Sequence, residues 1–433
     1  MSTGRFLKLS WSDEYIKQII DSGVIVSGRS YLTYDSMLVE NQFIYTDSDT
    51  IQNVATEPPP HHAPYAQSVQ KTILIVLVSA LDSSISSSLT NVSGKVFGTL
   101  DNSTSVASQF QACSFNQLNF VPFSADNVVD GVLEISLPIT ISGLPNYKVQ
   151  DSVTEAIGGR PMYADYVIYC LPPGTTGDWI AYGYVNGWLS VYNDKWCNSL
   201  SAKMHEIGHN LGLAHSGENG NPYGDTSGYM GYSSGADHTP LMCYNAYDSW
   251  SLGWYNSKSL SLKAVARQSF NGDLAGAVDF LNSSVRTVLI QLITENGLYY
   301  YINYNKKSSF NSGTGIGINQ VLVVSTIGNG TTYSQTWLVA KLSSGDEYSF
   351  ENVTRDGSSM SIKVNSISPN GLANIQINPA PCNYDSDCGL LRFCNTETHK
   401  CIDVSKPSPL KPSPLTSNKN KYKTNWRCRG CIL

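Results

Sequence analysis

Charge is scarce in this chain. Only 14% of its 433 residues are Asp, Glu, Lys or Arg, and the formal net charge is −6. A nucleic-acid partner calls for a basic surface, so this balance argues against one, and no DNA- or RNA-binding motif offsets it. Long apolar runs are also missing. The longest, Ile73–Leu81, falls short of the roughly 20 residues that a helix needs to span a bilayer. Met1–Ser10 has no apolar core of signal-peptide length, so no export signal is visible there. No cysteine stands before Cys113, which rules out an early thiol as the mask of a downstream metal. Cys431 lies third from the end, one place short of a prenylation box.

What is abundant points to β-structure and loops. Gly, Ser, Asn and Tyr are plentiful, and the length accommodates two or three domains with buried cores. Ten cysteines, an even number, fit disulfides formed in an oxidising compartment. Sequons at Asn91, Asn102, Asn282, Asn329 and Asn352 lean the same way. The expected location is therefore secreted or extracellular, although no signal peptide is visible.

The chain has seven histidines, and three fall in one stretch, His205-Glu-Ile-Gly-His-Asn-Leu-Gly-Leu-Ala-His215. His205 and His209 stand four apart, so on a helix both rings project from one face. Glu206 lies beside them as a base rather than a ligand. Gly212 has no Cβ and can turn the chain, which allows His215 to return as a third ligand. Three neutral imidazoles leave a coordination position open, the mark of a catalytic Zn²⁺ site. Asn198 or Ser199 is the expected N-cap of this helix, which should run to about Leu211.

HExxHxxGxxH is the signature of metzincin zinc proteases. With Tyr223-Gly-Asp-Thr-Ser-Gly-Tyr-Met-Gly231, Cys243-Tyr-Asn-Ala and Ser251-Leu-Gly-Trp-Tyr255 following it, the chain resembles the gametolysin (autolysin) family from about residue 68 to 378. Those are secreted proteases best known for degrading algal glycoprotein cell walls. Some of them open the motif with Gln, whereas this chain has His205. The resemblance implies a methionine turn beneath the metal, for which Met230 between Gly228 and Gly231 is the choice and Met242 the competitor. It also implies a tyrosine two residues later, Tyr232, that binds zinc or the oxyanion. A substrate-pairing edge strand is implied too, placed at Gly187-Trp188-Leu189-Ser190 and on to Val191.

The expected architecture is an α+β metzincin-like zinc protease domain, then an all-β sandwich-like domain, then a small disulfide-rich C-terminal module. Residues 1–66 read as a prosegment or an N-terminal β-extension, in which Asp47, Asp49 or the His61–His62 pair could cap the metal. The protease domain is placed at 67–255, opening on the buried-type strand Thr72–Val78. Short alternating strands over 256–379 suggest the sandwich. Cys382, Cys388, Cys394 and Cys401 are spaced too widely for a zinc ribbon and read as two disulfides in a 380–403 module. The Pro-rich basic tail over 404–433 could contact an acidic polysaccharide. Four central cysteines allow three connectivities. Cys197–Cys243 with Cys113–Cys170 is preferred, because it ties the start of the zinc helix to the turn.

The function expected is zinc-dependent hydrolysis of peptide bonds in extracellular-matrix or cell-wall glycoproteins, by Glu206-assisted attack of water. The alternative is a catalytically retired scaffold acting as a matrix-binding protein.

Overall fold

The computed structural model describes residues 68–99, 104–161, 163–233, 235, 238–264, 269–354 and 357–378, together with parts of 384–403 and the backbone of five short strands before residue 57. Asp47, Asp49, His61 and His62 lie outside the described residues, as do Cys382, Cys388 and the basic tail.

The first half runs β1 (Val69–Ser79), α1 (Leu89–Phe97), α2 (Val106–Ser114), β2 (Leu118–Pro122), β3 (Val132–Ser136), α3 (Asn146–Ala156), β4 (Tyr166–Leu171), β5 (Ala181–Gly183), β6 (Leu189–Asn193) and α4 (Leu200–Asn210). The strands form one sheet in the order β5-β6-β4-β1-β2, with β3 pairing the far end of β1. Every pairing is parallel except β5 with β6. A parallel sheet has both faces covered, so its central strand needs apolar residues at successive positions. Ile73–Val78 meets that need. Ile73, Ile75 and Leu77 pack with Val92 and Val96 of α1, Phe110 of α2 and Met204 of α4. Leu74, Val76 and Val78 face the other way, onto Val149 and Val153 of α3.

The sequence reading puts the cleft-bordering strand at Gly187–Val191, and the structure corrects it. Leu189 and Ser190 lie in β6, which is hydrogen-bonded on both sides, to β4 and to β5. Gly187 and Trp188 belong to the turn before it. The chain reverses there with Asn186 at φ +51°, and a Cβ on Gly187 would stand 2.6 Å from that of Tyr184. This tight hairpin lays β5 antiparallel outside β6, and β5 becomes the sheet edge.

The second half runs β7 (Ser216–Glu218), α5 (Ala246–Ser251), β8 (Ser259–Lys263), β9 (Phe270–Ala275), β10 (Leu289–Ile293), β11 (Tyr299–Tyr304), β12 (Val321–Thr326), β13 (Thr336–Leu342), β14 (Glu347–Phe350), β15 (Met360–Ile367) and β16 (Leu372–Asn378). A six-stranded sheet, β7-β13-β12-β11-β10-β8, shares a core with a four-stranded one, β9-β16-β15-β14. Alternation sorts the side chains. Tyr300, Ile302 and Tyr304 of β11 join Ile362, Val364 and Ile375 of the four-stranded sheet, whereas Tyr301 points to the core that contains Ile73 and Met204.

The seam expected at 255/256 is thus crossed twice. Leu289, Leu322, Val324 and Leu338 of the later strands belong to the first half's core, and β7, directly after His215, pairs in parallel with β13. Residues up to Pro381 form one compact unit and Cys382–Leu433 a second. Within that second unit β17 (Arg392–Asn395) and β18 (Lys400–Asp403) make an antiparallel hairpin, and Cys394 is disulfide-bonded.

The preferred disulfide pairing is also corrected. The bonds are Cys113–Cys243 and Cys170–Cys197. Sheet order decides this. Cys170 of β4 registers against Tyr192 of the neighbouring β6, so the segment that continues from β6 brings Cys197 to it, with Cα atoms 5.6 Å apart. Cys113 ends α2 beside the carbonyl of Met242, where Cys243 follows.

Candidate metal centre and active-site cleft

Ser199, one of the two expected caps, starts α4 by accepting a hydrogen bond from the Ala202 N–H (3.3 Å). Leu200, Met204 and Ile207 fix the helix to the core, which turns His205, Glu206 and His209 toward a cleft of about 670 Å³. The helix is capped at Leu211, and Gly212 follows with a φ of +91° that suits glycine, where a Cβ would meet the Asn186 side chain at 2.3 Å. The chain then doubles back and delivers His215.

Hydrogen bonding orients two of the rings. His205 Nδ1 lies 2.7 Å from the Tyr229 carbonyl and His209 Nδ1 2.8 Å from the Leu213 carbonyl. A carbonyl can only accept, so each Nδ1 carries the proton and each Nε2 presents a lone pair. His215 Nε2 lies 3.1 Å from His209 Nε2, and the ligand atoms of all three rings fall within 4.8 Å of one another. Among the described residues no other group of three His, Cys, Asp or Glu side chains converges in this way.

Burial keeps the rings neutral. It lowers His205, drives His209 well below its ordinary value with help from the charges of His205 and His215, and takes His215 down to about 3. Three uncharged imidazoles with convergent lone pairs fit a borderline-soft dication such as Zn²⁺.

Glu206 is 8% exposed, and burial lifts its carboxyl to about 8, against a hydrogen bond from the Gly183 N–H. Gly183 is the last residue of β5. A Cβ there would stand 2.4 Å from the Glu206 carbonyl oxygen, so edge strand and helix lie closer than any other residue permits. Ala181, Tyr182 and Gly183 line the cleft, whereas Gly187 and Trp188 line a smaller cavity of about 340 Å³ with Lys71 and Arg160.

Met230 is fully buried, and its Sδ would lie 2.6 Å from a Cβ on Gly208, on the helix turn between His205 and His209. Met242, also buried, lies at the disulfide instead, its carbonyl accepting from Gln109 Nε2 at 2.7 Å. Below the site, Asp225 is completely buried. It accepts from the hydroxyls of Ser216 (2.6 Å) and Ser227 (2.5 Å) and bolts the loop to β7.

Tyr232 lines the cleft but is 55% exposed. Another phenol, to which the sequence reading assigns no role, packs on the histidines. The Tyr223 ring centroid is 4.2 Å from that of His215 and 6.2 Å from that of His205. In a chain with 26 tyrosines nothing in the spacing singles it out. Tyr333, from the turn between β12 and β13, also lines the cleft, and no local pattern marks it.

A family profile described as gametolysin peptidase M11 matches residues 71–288. The autolysin of Chlamydomonas reinhardtii is 35% identical over 94 residues, which cover 20% of this chain and only 14% of that protein. Among solved structures, OgpA from Akkermansia muciniphila is similar at 13% identity with a TM-score of 0.32, over 63% of this chain and 93% of that one. The profile takes in the edge strand, the three histidines and Glu206, and with half the length matched the chain belongs to the gametolysin peptidase M11 family.

Proposed function

We propose that the protein is a zinc-dependent endopeptidase, with His205, His209 and His215 as ligands and Glu206 as general base. The observation that carries this reading is three converging imidazoles that share one cleft with a buried carboxyl, the cleft being walled by the edge strand of the sheet. Bound there, Zn²⁺ would supply Lewis-acid chemistry, lowering the pKa of a water and polarising the scissile carbonyl.

The chain's own residues supply the rest. The outer edge of β5 offers backbone N–H and C=O groups to an extended peptide and aligns it along the cleft. Glu206 alone, with its pKa near 8, holds a proton at neutral pH, and a nearby dication favours its ionised form. It then takes a proton from the attacking water. The same carboxyl passes that proton to the leaving amine as the C–N bond breaks, giving a carboxylate and an amine. Tyr223, whose ring packs on His215, donates a hydrogen bond to the carbonyl oxygen as negative charge builds there. Met230 forms the apolar floor under the helix. A secreted location and a matrix or cell-wall glycoprotein substrate are supported by the two central disulfides, the sequons and the likeness to an autolysin.

Digestion of an unfolded protein by the full chain tests the assignment, run beside Glu206→Gln and beside a chelator-treated sample with zinc restored. Cleavage lost in both controls and recovered with zinc is the expected result. A folded, zinc-loaded protein that cuts nothing would favour the matrix-binding alternative.

A further inference from the structure

The second sheet reaches into the cleft. Tyr333 lines it, although it lies beyond the stretch that matches the family profile. The segment that carries it is pinned on both sides. The Tyr247 hydroxyl donates to the Thr332 carbonyl, and the Thr326 hydroxyl to the Gln335 carbonyl at 2.9 Å. Gln335 Nε2 holds the Pro222 carbonyl at 2.9 Å, next to Tyr223, and the Thr336 N–H donates to the His215 carbonyl at 3.1 Å. Tyr333 is therefore set against the His215 end of the cleft by hydrogen bonds that pin the β12–β13 turn on both sides of it. Trp196, Ser199 and Ala202 line the opposite end, at the start of α4.

We propose that Tyr333 determines specificity, forming with Tyr223 and Val185 a subsite for an uncharged apolar or aromatic side chain of the polypeptide substrate, on the His215 side of the scissile bond. The proposal rests on the peptidase reading. Two aromatic faces and an aliphatic side chain gain from covering apolar surface. Among the described residues the cleft walls hold no Lys, Arg or Asp, and Glu206 is their one acid. A charged side chain entering here would lose its water without gaining a partner, which costs far more than an apolar one gains.

Tyr333→Phe and Tyr333→Ala in the full chain test this. Cleavage sites in an unfolded protein are mapped by mass spectrometry, and kcat and KM are measured on peptides that differ at one position. Wild type is expected to favour an apolar side chain at one fixed place relative to the cut. Tyr333→Ala should flatten that preference and raise KM about tenfold with kcat nearly constant, a change of about 1.4 kcal/mol. Tyr333→Phe should stay within about twofold of wild type, because it keeps the ring. Zinc content and melting temperature should match wild type in both. An identical cleavage profile in Tyr333→Ala overturns the proposal. So does loss of zinc in that variant, which would make Tyr333 a brace for His215. If wild type cuts nothing, the peptidase reading itself has failed, and binding decides the subsite. Calorimetric titration of the zinc-loaded protein with a short leucyl peptide amide should then weaken about tenfold in Tyr333→Ala, and equal affinity would overturn it.

Discussion

Glu206 shows how one residue's surroundings set its chemistry. A carboxyl at 8% exposure ionises reluctantly, and its value of about 8 in the metal-free site compares with an ordinary 4.5. The folded metal-free protein thus keeps a proton that the unfolded chain gives up. The stability this contributes is complete below 4.5 and is lost as the pH rises to about 8. The three buried imidazoles act the opposite way below about 6.5, so the test is a comparison: in urea melts across that window, chelator-treated wild type should lose stability relative to Glu206→Gln, in which the imidazoles act alike. In the zinc-loaded enzyme the same substitution should reduce kcat by at least about a thousandfold while leaving zinc content at wild type, since no ligand is removed. The phenols separate similarly. Tyr223→Phe is expected to lower kcat by about 10²-fold, as for loss of one oxyanion donor, and Tyr232→Phe by less than about threefold. A larger loss from Tyr232 would return that role to the more exposed ring. The convergence of the three histidines, the place of Glu206 in their cleft and the turn at Gly212 were legible because they follow from fixed local spacing on a helix and a turn. Tyr223 and Tyr333 were not, because no fixed spacing marks the first, the second arrives from a distant segment, and tyrosine is common here.

Elements were readable where their pattern was local. The apolar run of β1 announces a strand buried on both faces, and Ser199 caps α4 within the expected range. The edge strand was misplaced because Gly183-Tyr-Val and Gly187-Trp-Leu offer the same glycine–aromatic–aliphatic pattern within one hairpin. Only sheet order tells which arm lies outside. The cysteines failed for the same reason, since each pairing follows from neighbours in space. Two predictions belong to this scale. Gly208→Ala pushes a Cβ to 2.6 Å from the Met230 sulfur. The thioether can move, so thermal denaturation should register a loss of about 1–3 kcal/mol rather than unfolding. Thr336→Pro removes the N–H that holds the His215 carbonyl. Chelator competition should show zinc affinity reduced about 10–100-fold, the range for groups that orient a ligand. Unchanged affinity would mean that β13 only packs beside the site.

At the scale of the molecule, the two halves behave as one folding unit. Tyr301, Leu322 and Leu338 share a core with Ile73 and Met204, and the Cys113–Cys243 bond ties α2 to the segment before α5 across 130 residues of sequence. Removing that bond with paired serines should cost about 2–5 kcal/mol, measured by denaturant titration. A chain ending at residue 288, where the family profile stops, would strip the first half's core of β10 to β13. It should be recovered as aggregate or as a molten species with no zinc bound at stoichiometry. Composition indicated β-rich architecture but not this interlock, because a domain seam is a property of contacts and the sequence shows only a change of pattern.

The hydrogen bond from Thr336 to His215 therefore bears on how such enzymes can be recombined. A histidine whose carbonyl leans on a strand more than a hundred residues downstream cannot travel with its motif alone. Grafting the eleven-residue histidine stretch, or even the whole first half, onto a foreign β-partner would leave the third imidazole without its backstop. A productive chimera would exchange β7 and β13 together, so crossovers in a breeding experiment should die between residues 218 and 336.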